Sequence, residues 1–280
     1  MKRVLSAILA LGLAVGIAPA FEVVYQTGFE AAQGFNQAEF SNVDGWVVQN
    51  GVARVSTTVF RNGSQSLELP ANTTIDRSFV DVTSLANQRI VWVQGYFRGT
   101  GSAGTPDFAG IQDASAVLFF GNTAIQAFQG SGALDGNGSF VSTGRQISNS
   151  AWTRILLKLD FQLKNYDVYI VPEGQSLSTA SLTNSALSFR NNVSRLNGFQ
   201  SLASETSFID DFSVLVRVPF DANGDGVVNV ADLVTVVNAI NTPSTLSDPI
   251  LRTNADANLD GQLTTADRDA ILNSATLLNI

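Results

Sequence analysis

Between Phe220 and Leu233 the chain reads FDANGDGVVNVADL, with Asp221, Asn223, Asp225, Asn229 and Asp232 spaced around Gly226. Calcium takes about six to eight oxygens, and a loop of about twelve residues supplies them from positions 1, 3, 5, 7, 9 and 12, with glycine at position 6 for the sharp turn. Counted from Asp221, the set is Asp221, Asn223, Asp225, the carbonyl of Val227, Asn229 and Asp232. The pattern returns as DANLDGQLTTAD at an offset of 35 residues, which gives Asp256, Asn258, Asp260, the carbonyl of Gln262, Thr264 and Asp267, with Gly226 and Gly261 in register. Asx-rich turns that cap helices without metal also fit Asp and Asn at these spacings. Three carboxylates per loop would then repel one another, and a cation is the simpler reason to keep them together. Behind the first loop, Leu233, Val236, Val237 and Ile240 recur at i, i+3, i+4 and i+7, the period of an amphipathic helix. Pro243 and Pro249 lie in the linker, where each stops a helix or restarts the chain. Residues 219–280 therefore read as a small all-α domain built from two calcium-binding loop–helix repeats.

The rest of the chain restricts what that domain serves. Of 280 residues, 45% are hydrophobic, enough for a packed core. Sixteen Lys and Arg against 24 Asp and Glu leave a formal net charge of −8, so no basic footprint for nucleic acid or an anionic membrane surface is present. Cysteine and histidine are absent. Disulfides, thiolate zinc sites, cysteine nucleophiles and histidine-based triads are excluded, and any metal is oxygen-ligated, which favours calcium or magnesium.

The first twenty residues, MKRVLSAILALGLAVGIAPA, join Lys2 and Arg3 to an apolar run from Val4 to Ile17 and end in Ala18-Pro19-Ala20. This is the pattern of a cleaved signal peptide. A membrane anchor is the rival reading, but the run is short for a bilayer span and no stop-transfer flank follows. No later segment is long and apolar enough to span. The expected location is secreted or extracellular, where calcium is plentiful.

From residue 21 to 218 short apolar or alternating runs are separated by Gly, Asn, Ser and Thr, the texture of an all-β domain. Candidate strands are Ser66–Leu69, Ile90–Arg98, Ala116–Phe120, Ala124–Phe128, Trp152–Phe161, Tyr166–Val171 and Phe208–Val216. About ten strands in such a span suit an antiparallel two-sheet sandwich of jelly-roll type. In AWTRILLKLDF, Ile155, Leu157, Leu159 and Phe161 form a core row against a mostly solvated row of Arg154, Leu156, Lys158 and Asp160. In RIVWVQGYFRG, Val91, Val93 and Phe97 face the core, while Trp92, Gln94, Tyr96 and Arg98 form the opposite row.

The paired D-x-N-x-D-G loops, each closing on Asp at position 12, resemble those of a type I dockerin, over Asp221 to Ile280. The resemblance implies two structural calcium ions, a pairing of Val228 with Leu263 between the loops, and docking onto a cohesin domain of a scaffold or cell-surface protein. Dockerins usually tether enzymes or binding modules that act on polysaccharides. Val230-Ala231 and Thr265-Ala266, at the recognition positions, are not alike, so binding in two orientations is not implied. The amino-terminal domain resembles a concanavalin A-like or laminin G-like jelly roll through TGFEAAQGF, RNGSQSLEL, WTRILLKLDFQLKNYDVYI and FIDDFSV. That likeness implies a structural calcium at Glu30 with Asp210 or Asp211. Carboxylates that merely cap strand ends account for those residues equally well.

Sugar rings stack on aromatic faces while amides and guanidinium groups bond hydroxyls, so Trp92, Gln94, Tyr96 and Arg98 are the candidate carbohydrate-binding row. The alternative is that Trp92 and Tyr96 fill a second core layer. The expected function is polysaccharide binding by a calcium-dependent, cohesin-docked protein. A polysaccharide hydrolase or lyase of the same fold is the main alternative, and a surface or adhesion protein the third. The six glutamates are scattered, with no paired-carboxylate segment, and without histidine a lyase base would fall to Tyr25, Tyr96, Tyr166 or Tyr169.

Overall fold

The computed structural model describes residues 21–79, 89–104 and 113–274. The leader at residues 1–20 and the last six residues of the helical domain lie outside the described residues. The chain is mainly β, with three helices at its carboxyl end. The strands are β1 (Phe21–Thr27), β2 (Glu39–Phe40), β3 (Asn42–Val43), β4 (Trp46–Asn50), β5 (Ala53–Ser56), β6 (Ser66–Leu69), β7 (Thr73–Ser78), β8 (Ile90–Gly99), β9 (Leu118–Gly121) and β10 (Ala124–Gly130). They continue with β11 (Gly138–Gln146), β12 (Thr153–Asp160), β13 (Asn165–Pro172), β14 (Leu182–Ser188), β15 (Gly198–Ala203) and β16 (Ser207–Arg217). The α-helices are α1 (Val230–Asn241), α2 (Pro249–Ala255) and α3 (Thr265–Leu272).

One nine-stranded sheet, in the order β14-β13-β12-β8-β16-β6-β5-β2 with β1 also on β16, faces two smaller sheets, β11-β10-β9 and β15-β7-β4-β3. The second layer of the expected sandwich is thus split in two. Every strand pairing in the three sheets is antiparallel. The core between the layers takes Val91 and Val93 from β8, Ile155 and Leu159 from β12, Trp46 from β4, Ile75 from β7 and Ile125 from β10. The alternation read from the sequence therefore sets the core face of β8 and β12.

Their outward face departs from expectation. Leu156, placed on a mostly solvated row, is fully buried, as are Ile90, Trp92 and Leu215 beside it. The cover is the helical region, since Ile250 of α2 belongs to the same apolar cluster and Leu259 packs against it. Strands apolar on both faces are the signature of a sheet covered on both sides.

The helical region has its own small core of Ala222, Val236, Ala239, Leu246, Ala255 and Ile271. Pro249 opens α2 at its first turn, where its missing N–H costs nothing, and Asp248 caps the next two N–H groups. Among the described residues no helix is long and apolar enough to cross a membrane. The Val228–Leu263 pairing is absent from the bridges formed among the described residues; Leu263 packs against the small core instead.

Candidate functional site

The two repeats fold into the same hydrogen-bonded loop. In the first, Asp221 Oδ2 accepts from Gly226 N at 3.0 Å, Asn223 Oδ1 from Asp225 N at 2.9 Å, and Asp225 Oδ1 from Val227 N at 2.8 Å. In the second, Asp256 accepts from Gly261 N at 2.8 Å, Asn258 from Asp260 N at 3.0 Å and Asp260 from Gln262 N at 2.8 Å. Gly226 and Gly261 sit at φ of +80° and +86°, the left-handed turn that position 6 requires. Each loop closes on its helix, because Asn229 caps α1 through Ala231 N and Thr264 caps α3 through Ala266 N. Asp232 and Asp267 then accept the cap residue's own N–H, each at 2.8 Å.

Capping explains Asn229 with Asp232 and Thr264 with Asp267, but not the residues at positions 1, 3 and 5. Asp221, Asp232 and Asp267 are fully buried and Asp256 nearly so. Burial raises the pKa of Asp221, and the nearby charges of Asp232 and Asp225 raise it further. Burial does the same for Asp256, with Asp267 and Asp260 as the like charges. Buried carboxylates that repel one another inside a preformed oxygen loop fit a hard divalent cation. Among the described residues no group of three acidic side chains is gathered closely enough to hold a metal by itself. Each loop's set accordingly includes amide, hydroxyl and carbonyl oxygens.

Residues 219–274 match the family model described as "Dockerin type I domain". The C-terminal region is a type I dockerin domain. No curated protein matches the chain. Among solved structures, the CBM22-1 xylan-binding domain from Paenibacillus barcinonensis Xyn10C is 16% identical, covering 72% of this chain and 99% of that one with a TM-score of 0.34. The "T. cruzi calreticulin globular domain" is 10% identical, covering 84% of this chain and 97% of that one at a TM-score of 0.40. A sialidase is 11% identical, covering 80% of this chain and 21% of that one at 0.44.

The dockerin is fastened to the jelly roll by its second half. Arg217, the last residue of β16, is buried and donates from Nε to the carbonyl of Thr253 at 2.8 Å and from Nη2 to that of Asp256 at 2.6 Å. Burial lowers its pKa to about 10, so it is still charged at neutral pH. It thereby satisfies carbonyls at the end of α2 and at the first residue of the second Asp-rich loop, groups a helix terminus leaves without partners. Thr179 N donates to Ser247 O at 2.8 Å along the same seam.

Of the expected carbohydrate row, Trp92 is corrected. It is fully buried beneath the dockerin, its ring centroid 5.5 Å from that of Tyr169, and cannot present a face to a sugar. Gln94 is tied to Ser213 Oγ and Arg154, and Arg98 Nε donates to the carbonyl of Asn149. Tyr96 is half-buried at the edge of a cleft of about 310 Å³. Arg61 and Arg154, which the sequence reading missed, flank it there. Arg154 was visible in the outward row of its strand, but its register with Tyr96, like the approach of Arg61 from a loop, comes from the fold.

Glu30, Asp210 and Asp211 do gather, around Gly28. Each accepts hydrogen bonds from the chain. Although burial pulls Glu30 up, hydrogen bonds from Ser64 N, Ser64 Oγ and Gln65 N hold it below the usual range. Asp210 accepts from the N–H groups of Arg61 and Asp211, each at 2.7 Å, and burial pushes it up to about 6. Asp211 accepts from Asn62 Nδ2. The three carboxylates tie the segment after β1 and the irregular stretch of β16 at Asp210 and Asp211 to the loop before β6. Gly63 permits it, since a Cβ there would strike Glu30 Oε1. Burial also raises the pKa values of Tyr25, Tyr166 and Tyr169, away from what a lyase base needs.

Proposed function

We propose that this is an exported protein whose dockerin, loaded with two calcium ions, docks onto a cohesin domain and thereby positions a polysaccharide-binding jelly roll. The observation that carries the reading is the pair of loops with one shared hydrogen-bond pattern, inside the span matched by the dockerin family model. The aspartates, Asn223, Asn258, Asn229, Thr264 and the carbonyls of Val227 and Gln262 would hold the metal. Calcium supplies the charge that lets the buried carboxylates stay ionised together. The apolar leader, outside the described residues, supports export to a calcium-rich space.

Exposure supports the docking face. While α2 is committed to the jelly roll, α1 leaves Val230 and Val234 at 53% and 51% exposure and α3 leaves Leu272 at 49%. An apolar patch of this kind on a small helical domain supports a protein partner. The jelly roll covers the α2 side of the dockerin, which favours a single docking orientation.

The test uses the full chain on immobilised cohesin domains, with calcium and with excess chelator. Retention under calcium and release by chelator is expected, together with loss of helical circular dichroism, because a ligand that binds only the folded state stabilises it by mass action. Retention of full helicity in chelator would remove the metal assignment. Since Asp221 and Asp256 have raised pKa values, the calcium-free protein holds their protons more tightly than the unfolded chain does. Its stability therefore falls as pH rises from the usual Asp range towards neutrality. Calcium competes with those protons, so its affinity increases over the same interval.

A further inference from the structure

The outward face of the large sheet is not wholly covered by the dockerin. Next to the buried Trp92 cluster lies the cleft whose lining includes Tyr96, Arg61, Arg154, Glu173, Gln175 and, from the dockerin, Asp248. The guanidinium carbon of Arg61 is 5.0 Å from the centre of the Tyr96 ring and that of Arg154 is 6.0 Å from it. Neither arginine forms an ion pair among the described residues. Arg154 Nε and Nη2 both donate to one neutral oxygen, Gln94 Oε1, at 3.2 and 2.6 Å. Arg61 Nη1 reaches only the amide oxygen of Asn62, and its Nε is buried without a partner.

The neighbouring acids keep their charge but form no ion pair with either guanidinium among the described residues. Asp210, the register partner of Tyr96 on β16, spends its carboxylate on the N–H groups of Arg61, Asn62 and Asp211. Glu173 Oε2 accepts from Trp152 N, and Asp248 Oδ1 accepts from Ile250 N and Leu251 N. Two guanidinium groups without a carboxylate of their own thus converge on one aromatic ring. Such groups match the planar oxygens of an anion in a two-point fork. The cleft volume lies at the low end of small-ligand sites, roughly 300–1,000 Å³, which suits one sugar unit rather than a long stretch of chain.

We infer that this cleft, between the jelly roll and the dockerin, is a subsite for an anionic sugar residue whose acidic group is held by Arg61 and Arg154 beside Tyr96. The inference rests on the polysaccharide-binding reading and deepens it by naming the charge class of the ligand. A carboxylated and a sulfated sugar share the chemistry, and separate probes distinguish them.

The experiment is calorimetric titration of the calcium-loaded full chain with methyl β-glucuronoside, glucose 6-sulfate and neutral methyl β-glucoside. The better anionic probe should bind about tenfold more tightly than the neutral one, with that preference shrinking as salt is raised. The Arg61→Gln and Arg154→Gln variants should each reduce the preference to within about twofold at unchanged circular dichroism, while Arg154→Lys, keeping the charge but not the fork, retains part of it. Equal or tighter binding of the neutral glucoside, or a preference untouched in both Gln variants, overturns the subsite. A glycan array on the same protein keeps the two readings apart. Neutral oligosaccharides bound equally by wild type and variants leave polysaccharide binding standing without this subsite, and no glycan bound at all sinks both.

Discussion

The two dockerin loops share a hydrogen-bond pattern and part company at their fourth residue. In the first loop this is Gly224 at φ +79°, a conformation glycine takes freely; in the second it is Leu259 at φ +59°. A leucine in that region costs about 1–2 kcal/mol. Leu259 packs against the cluster of Trp92, Tyr169, Leu215 and Ile250, and the carbonyl of Asp256 in the same loop takes a bond from Arg217. Among the described residues, none from the first loop is in that cluster. A duplicated unit has thus been divided: one copy is fitted to a permanent neighbour within the chain, and the other keeps the unmodified loop.

The largest test of that division is Trp92→Ala. Removing a fully buried Trp should cost about 3–5 kcal/mol, read as a lowered melting temperature of the calcium-loaded chain. Because the cavity opens beneath Ile250 and Leu259, calcium affinity should fall at the second loop more than at the first, resolved by calorimetric calcium titration. Equal weakening of both sites would break the comparison. An unchanged melting temperature with lost glycan affinity would restore Trp92 as a sugar platform.

Next in size is Arg217→Met, which keeps the aliphatic volume and removes the donors to the carbonyls of Thr253 and Asp256. Leaving buried carbonyls unpaired should cost on the order of 3 kcal/mol. The expected calorimetric trace splits into separate transitions for the jelly roll and the dockerin, where a single transition is expected of the wild type. A single, merely shifted transition would mean that the apolar cluster alone couples them.

The local parts of this architecture were legible because their signals are local. The loops announce themselves through fixed oxygen spacing, and α1 through its i, i+3, i+4, i+7 row. The alternation in β8 and β12 assigned their core faces. What covers the other face was not legible, because a row such as Ile90, Trp92 and Leu156 reads the same whether it meets a ligand or another domain. Tyr169, Val171 and Leu215 add apolar weight to that face only once register aligns β13, β12, β8 and β16. The short strands β2 to β5 carry too few residues to show a period. The Glu30 corner needed the fold to deliver Ser64 and Gln65, more than thirty residues away in sequence.

The smallest effects come from exchanging the fourth residues of the loops, and their difference is the finest measure of the division. Gly224→Leu imposes left-handed strain where no jelly-roll surface waits to receive the side chain, so calcium-loaded stability should fall by about 1–2 kcal/mol. Leu259→Gly works through opposed terms. It relieves the same strain, yet it removes a half-buried apolar side chain worth about 1 kcal/mol and gives the unfolded chain about 0.5–1 kcal/mol of extra freedom. The balance is a loss of about 1 kcal/mol or less, accompanied by a change in Trp92 fluorescence that Gly224→Leu does not produce. Should Leu259→Gly stabilise the protein outright, the leucine would be strained without compensation, and its contact with the jelly roll would not be the reason it is there.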